Sequence, residues 1–194
     1  MALPFTDAQR DAIRERLLKS AQKHALDTGV RKTSLDMLAA DAGIAKSSFY
    51  KFYESKELLF LEAAGRWETE ILSRAQRALT ESEGAGDKAR AAAMVFTVFK
   101  AIHELGIARF LREDMPMLDS YIPDSAVRAH MLSSARMLFE ALREAKIRFT
   151  APDETVLSVI KLMYLSILNI SEIGEGFFPA LYVLVDSACA KLVA

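Results

Sequence analysis

Apolar residues return every three to four positions along almost the whole chain, and no segment sustains a period of two, so the pattern predicts an all-α fold. Thr6 suits the N-cap of a first helix whose apolar face carries Ile13, Leu17, Leu18, Ala21, Ala25 and Leu26 and which stops at Gly29. Ser34 caps a short helix through Leu35, Leu38 and Ala39 that Gly43 ends, and a third helix, Lys46 to Tyr53, follows within three residues. Ser55 caps a long fourth helix with Leu58, Leu59, Trp67, Ile71 and Leu79 on its buried side, and the glycines of Gly84-Ala85-Gly86 break it. Further helices are expected near 87–105, 107–113, 124–148, 153–171 and 177–193, punctuated by glycine and proline.

Composition narrows this to a globular protein of the cell interior. Hydrophobic residues make up 52% of the 194 positions and charged residues 26%, enough apolar matter for a real core and too little charge for disorder. The single cysteine, Cys189, has no disulfide partner or metal-ligand neighbour and reads as a small buried hydrophobe in a reducing cytoplasm. The start MALPFTDAQR lacks the pattern of a signal peptide. The longest apolar run, Phe177 to Val185, is far shorter than the roughly 20 residues that cross a bilayer, so no membrane partner is expected. Net charge is −1, which alone speaks against nucleic acid. Its distribution reverses that reading: ten Lys and Arg stand against eight Asp and Glu in residues 1–57, and fifteen against eighteen beyond, a basic head on an acidic body.

The informative stretch is Arg31 to Leu59. Ala39 and Ala42 are small enough for two short helices to cross closely, Gly43 permits a left-handed turn, and Ile44 fills the gap, as a helix-turn-helix requires. With Phe49 turned inward, the second helix is free to present Lys46, Ser47, Ser48, Tyr50 and Lys51. Lysine donates to guanine or phosphate, serine to base edges or backbone, and tyrosine to a phosphate oxygen. Lys56, at the start of the next helix, is expected as a further phosphate anchor.

This segment resembles the TetR family of transcription regulators, matching its signature at Thr33-Ser34, Leu38-Ala39, Ala42-Gly43-Ile44, Tyr50, Lys56 and Leu59. The resemblance adds Thr33 and Ser34 to the expected DNA-binding set. It also implies a division into a DNA-binding domain of three helices (1–55) and a helical ligand-binding and dimerisation domain (56–194). The chain departs from the signature at Ala45, where a serine would cap the recognition helix, at Ser47 in a frequent glycine position, and at Phe52 and Tyr53, where the family has His and Phe.

Beyond the motif, the helices 153–171 and 177–193 are apolar on nearly all sides, and a single subunit covers only one of those sides. They are expected to join two subunits in a four-helix interface, which also gives paired readers for a near-palindromic operator. The resemblance implies a small-molecule effector, for which Trp67, Phe96, Phe99, His103, Phe110, Tyr121, Met137, Met163 and Tyr164 supply adaptable apolar surface and a few polar groups. His103-Glu104 opens the zinc pattern H-E-x-x-H, but Ile107 stands at the second histidine, so no metal is expected. No nucleophile motif or phosphate-cradling loop is present, and neither catalysis nor a cofactor is expected. The competing reading is a helical ligand carrier or interaction scaffold with a vestigial helix-turn-helix.

Overall fold

A computed structural model describes residues 5–121 and 134–194 of the chain. These residues are helical almost throughout and hold no β-strand, only an isolated bridge between Phe149 and Val193. They fall into two compact units. The first holds the described residues up to Glu68 together with Arg109–Tyr121, and the second holds Thr69–Ala108 and 134–194. The first unit thus extends past the boundary expected at 55/56 and recruits a segment from the middle of the chain.

In the first unit, α1 (Asp7–Asp27) opens with a reciprocal cap. The Gln9 N–H donates to the Thr6 hydroxyl (3.3 Å), and the Thr6 N–H donates to Gln9 Oε1 (2.9 Å), which satisfies two otherwise free donors. The helix stops where Gly29 takes a φ of +85°. Helix α2 (Leu35–Asp41) is capped by Ser34, whose hydroxyl accepts from the Met37 N–H (3.2 Å). Gly43, at φ +68°, turns the chain into α3 (Lys46–Phe49), and α4 (Lys56–Glu81) starts with the Leu58 N–H on the Ser55 hydroxyl (3.2 Å). Leu17, Leu18, Leu38, Phe49, Leu59 and Phe60 are fully buried among these helices. Each contributes about 1.5–3 kcal/mol relative to an exposed position. From further along the chain, α6 (Ala108–Glu113) adds Phe110, whose ring meets Trp67 edge-on at 5.1 Å, and α7 (Met115–Leu118) adds the buried Leu118.

The second unit packs α5 (Asp87–Glu104) against α11 (Phe177–Leu192), and α8 (Ser134–Glu144) against α9 (Asp153–Leu168). A short helix, α10 (Ile170–Ile173), and a 3₁₀ turn over Gly174–Gly176 lie between α9 and α11, so the helix expected over 153–171 ends three residues early. The first ten residues of the helix expected over 124–148 lie outside the described residues. At its end, Lys146 occupies the left-handed region (φ +62°) of a Schellman cap. In that cap the Lys146 N–H donates to the Arg143 carbonyl (2.9 Å) and the Ile147 N–H to that of Leu142 (3.1 Å). Beyond it the Thr150 N–H bonds the Leu192 carbonyl (2.8 Å), which ties this turn to the end of α11.

Both α9 and α11 bury one face and leave another bare. Leu162, Leu165, Tyr182, Val183 and Leu184 are all more than half exposed. Ile170–Leu192 is long and apolar enough by composition to cross a membrane, with a mean hydropathy of 1.2. Glu172, Glu175, Asp186 and Lys191 lie within it, and its backbone is broken at Gly174–Gly176, which suits an aqueous protein surface better than lipid.

Candidate DNA-binding site

Helix α3 spans only Lys46–Phe49, shorter than the Lys46–Tyr53 expected. Ala45 supplies no side-chain cap, and the two serines that follow have low helix propensity. After Phe49 the chain tightens into three-residue turns, with the Lys51 N–H on the Ser48 carbonyl (3.1 Å) and the Phe52 N–H on the Phe49 carbonyl (2.9 Å). A one-turn helix does not hold itself in water, so tertiary contacts orient it. Phe49 anchors it from within, with Tyr50 edge-on at 5.8 Å and Tyr53 tilted at 6.0 Å.

Tyr53, where the family has phenylalanine, uses its extra hydroxyl. It donates to Glu62 Oε2 (3.1 Å), and Arg14 binds the same carboxylate (2.6 Å) while lying over the Tyr53 ring at 5.5 Å. Burial first, and then Glu62, push the Tyr53 hydroxyl up to about 12, so it stays protonated and a donor. The Glu62 carboxylate raises the Arg14 guanidinium further above its already high value. On the opposite side, Asp41 accepts from the Ser20 hydroxyl (2.7 Å) and meets His24 Nε2 at 2.9 Å, which joins α2 to α1. The Ser20 hydrogen bond, assisted by His24, holds the Asp41 carboxyl below the usual carboxylate range.

This scaffold leaves Ser34, Lys46, Ser47, Tyr50 and Lys51 exposed, with Tyr50 56% accessible, while Ser48 is half-buried. Lys46 is already paired: its ammonium lies 2.8 Å from Asp36 of α2. Beside Ser48 a groove of ≈ 380 Å³ runs between α1 and the turn, bordered by Phe5, Ile13, Arg16 and Ile44.

Two residues expected on the DNA face are placed elsewhere. Thr33 is 1% exposed, and its hydroxyl donates to the Gly29 carbonyl (2.8 Å), so it closes the α1–α2 loop. Lys56, half-buried, donates to the carbonyls of Val30 (2.9 Å) and Thr33 (2.7 Å), which engages two of the three ammonium donors with the backbone of that loop. The loop is gripped from its other side by residues that no local pattern marks. Arg109 Nη2 donates to the carbonyls of Ala25 (2.7 Å) and Leu26 (2.8 Å), satisfying the end of α1, and Asp114, 5% exposed, accepts from the Val30 N–H (3.3 Å). The approach is close: a Cβ on Gly29 would lie 3.1 Å from the Arg109 guanidinium and would make that side chain give by a few tenths of an ångström, while the φ of +85° itself favours glycine. Burial raises the Asp114 carboxyl above the ordinary value, against the Val30 N–H and Arg109, which lower it.

The expected effector residues are divided between the two units. Trp67, Phe110 and Tyr121 belong to the first unit, the first two as core. In the second unit Phe99 is core, Met137 and Tyr164 are half-buried, and His103 meets Phe178 edge-on at 4.9 Å, with Phe96 also against Phe178. Met163 borders an apolar cavity of ≈ 30 Å³, with Val95, Val156 and Cys189. That is room for a water, not for an organic ligand. Burial pushes the Cys189 thiol up to about 11, which leaves it unreactive at neutral pH.

A glycine turn between two packed short helices, with apolar residues inward and Ser, Tyr and Lys outward, defines a helix-turn-helix DNA-binding module. Residues 17–63 match the model of the family described as bacterial regulatory proteins, tetR family. No curated protein matches the chain. Solved structures extend the likeness of fold to nearly its whole length. A TetR family transcription regulator from Marinobacter aquaeolei VT8 is 18% identical with a TM-score of 0.67, over 97% of this chain and 99% of that one. A TetR-like transcriptional regulator from Rhodococcus sp. RHA1 is 18% identical with a TM-score of 0.60, over 97% of each chain. Thermus thermophilus FadR, a TetR family transcriptional repressor in complex with lauroyl-CoA, is 20% identical with a TM-score of 0.54, over 90% of each.

Proposed function

We propose that this protein is a sequence-specific transcription regulator of the cytoplasm, a repressor that a small-molecule effector releases from its operator, and that it acts by binding and not by catalysis. The observation that carries the reading is α3 itself: Phe49 is buried while Ser47, Tyr50 and Lys51 stand exposed beside it on one short, anchored turn. Ser34 and Lys46 complete the proposed contact face, and Ser48 borders it.

Reading an operator of useful length calls for two such faces, about 34–36 Å or a multiple apart. The bare apolar faces of α9 and α11 support a homodimer through the last two helices, because exposed Leu162, Leu165, Val183 and Leu184 leave water when a second copy covers them. For the effector, the second unit provides Phe96, Phe99, His103, Met137, Met163 and Tyr164. The ≈ 30 Å³ cavity at Met163 is too small as it stands, so effector binding there includes a rearrangement that opens space. A coupling of about 1–3 kcal/mol between effector and operator changes DNA affinity roughly 5–150-fold.

Selection from a random duplex pool tests the reading. The expected result is an enriched inverted repeat, and Tyr50→Ala with Lys51→Ala should abolish the enrichment. A pool with no enriched repeat favours the ligand carrier or scaffold instead.

A further inference from the structure

The one-turn recognition helix is anchored from inside by Phe49 and Tyr53, but between them Tyr50 and Lys51 stand exposed and are two of the proposed DNA contacts. Beside the Tyr53–Glu62 bond, a second support for that stretch comes from the start of the chain. The Phe5 ring tilts against Phe52 with centroids 5.9 Å apart, and the Arg10 guanidinium lies over the same Phe52 ring, 5.6 Å from its centroid. Arg10 Nη2 also donates to the Lys51 carbonyl at 3.4 Å, and the Lys51 ammonium sits 5.5 Å from the Phe5 ring.

The Thr6–Gln9 capping box makes this arrangement definite. It fixes the start of α1, so that Phe5 falls just before the cap and Arg10 four residues inside the helix. Side chains at those two positions commonly close on one another as a hydrophobic staple. Here both turn outward to Phe52, at the position where the family signature carries histidine.

We propose that Phe5 and Arg10 are positioning residues of the DNA reader: through Phe52 they hold the Tyr50–Lys51 end of the recognition turn in its binding geometry. The proposal rests on the DNA-binding reading for its consequence but not for its mechanism, since the clamp exists in the free protein. Ring–ring and cation–ring contacts of this kind, each weak at an exposed site, together order a segment that has no cap of its own.

Hydrogen exchange on the free full-length protein gives the first measurement. In Phe5→Ala, amides 50–53 should exchange about three- to tenfold faster while those of Leu17 and Leu18 keep their rates. The second measurement titrates the duplex that the unaltered protein selects. Phe5→Ala should weaken binding about three- to tenfold with no change in the slope of log affinity against log salt, and Phe5→Tyr should restore it. Phe52→Leu, which keeps the site apolar but removes the ring, should behave as Phe5→Ala does. Unchanged exchange at 50–53 overturns the proposal. So does an affinity loss accompanied by a lower salt slope, which makes the N-terminal residues direct phosphate contacts. If the unaltered protein selects no duplex, the DNA-binding reading fails, and the exchange result still decides whether the clamp orders the turn.

Discussion

Ala45 is the position at which one added oxygen should change the recognition helix most. Its backbone (φ −68°, ψ 147°) already has the extended geometry of an N-cap, its side chain is exposed, and it makes no capping hydrogen bond. In Ala45→Ser the hydroxyl therefore reaches the first N–H groups of α3 without moving the chain. Such a cap is worth about 1 kcal/mol, within a range of roughly 0.5–2. On a helix that opens locally, that lowers the open fraction about fivefold, so the amides of Ser47–Phe49 should exchange about fivefold more slowly while those in the middle of α1 do not respond. The effect on DNA has a built-in ceiling, because apparent affinity is the intrinsic affinity scaled by the ordered fraction. Binding tightens by up to about fivefold if the free helix is mostly open, and by nothing if it is already formed. Ala45→Asp separates the two effects: it should slow exchange as serine does and still weaken DNA binding, because it places a carboxylate beside phosphate. If neither variant slows exchange, or if both slow α1 equally, the missing cap is not what shortens α3.

Lys56→Met should destabilise the protein by about 1–3 kcal/mol through loss of the charged bonds to Val30 and Thr33, visible as a lower Tm. It should leave the salt slope of DNA binding unchanged; a drop of about 0.9 in that slope would restore Lys56 to the phosphate contacts. Asp114, whose pKa is raised on folding, contributes stability that is complete below the ordinary carboxylate range and is lost as pH rises through its elevated value. Thermal melts of Asp114→Asn against the unaltered protein should show the variant gaining relative stability from acid to neutral pH, and a constant difference would refute the shift. Asp41, held low by Ser20 and His24, has the opposite sign, so its contribution should disappear as pH falls through its depressed pKa, and Asp41→Asn should lack that acid dependence. Lys146→Gly should raise stability by about 1 kcal/mol in chemical denaturation, because a left-handed φ of +62° strains any residue with a Cβ; a loss would mean that the lysine side chain makes a compensating contact.

The local half of this architecture was open to reading because its signals are local. Thr6, Ser34 and Ser55 cap the helices they precede, Gly29 and Gly43 take the positive φ that ends helices, and Phe49 turns inward as periodicity requires. The length of α3 escaped that reading because a tertiary anchor, not propensity, sustains it. Lys56 and Thr33 stand at the signature's spacing, but spacing does not say whether a side chain turns towards a ligand or back onto its own loop; here Lys56 reaches across to carbonyls 26 and 23 residues earlier. Asp114 bonds a residue 84 positions away, and nothing around it in the sequence marks that bond. That Trp67, Phe110 and Tyr121 belong to the first unit has the same origin, since an apolar side chain does not state which core it joins.

The grip of Arg109 and Asp114 on the α1–α2 loop also governs the order in which the molecule can be made. The first 68 residues contain every outward group of the reader, yet they leave the ribosome without Phe110, Leu118 and the two side chains that satisfy the end of α1 and the Val30 N–H. The reader therefore reaches its final form only after about fifty further residues have been synthesised, and an excised head ending at Glu68 should be looser than the same residues in the full chain.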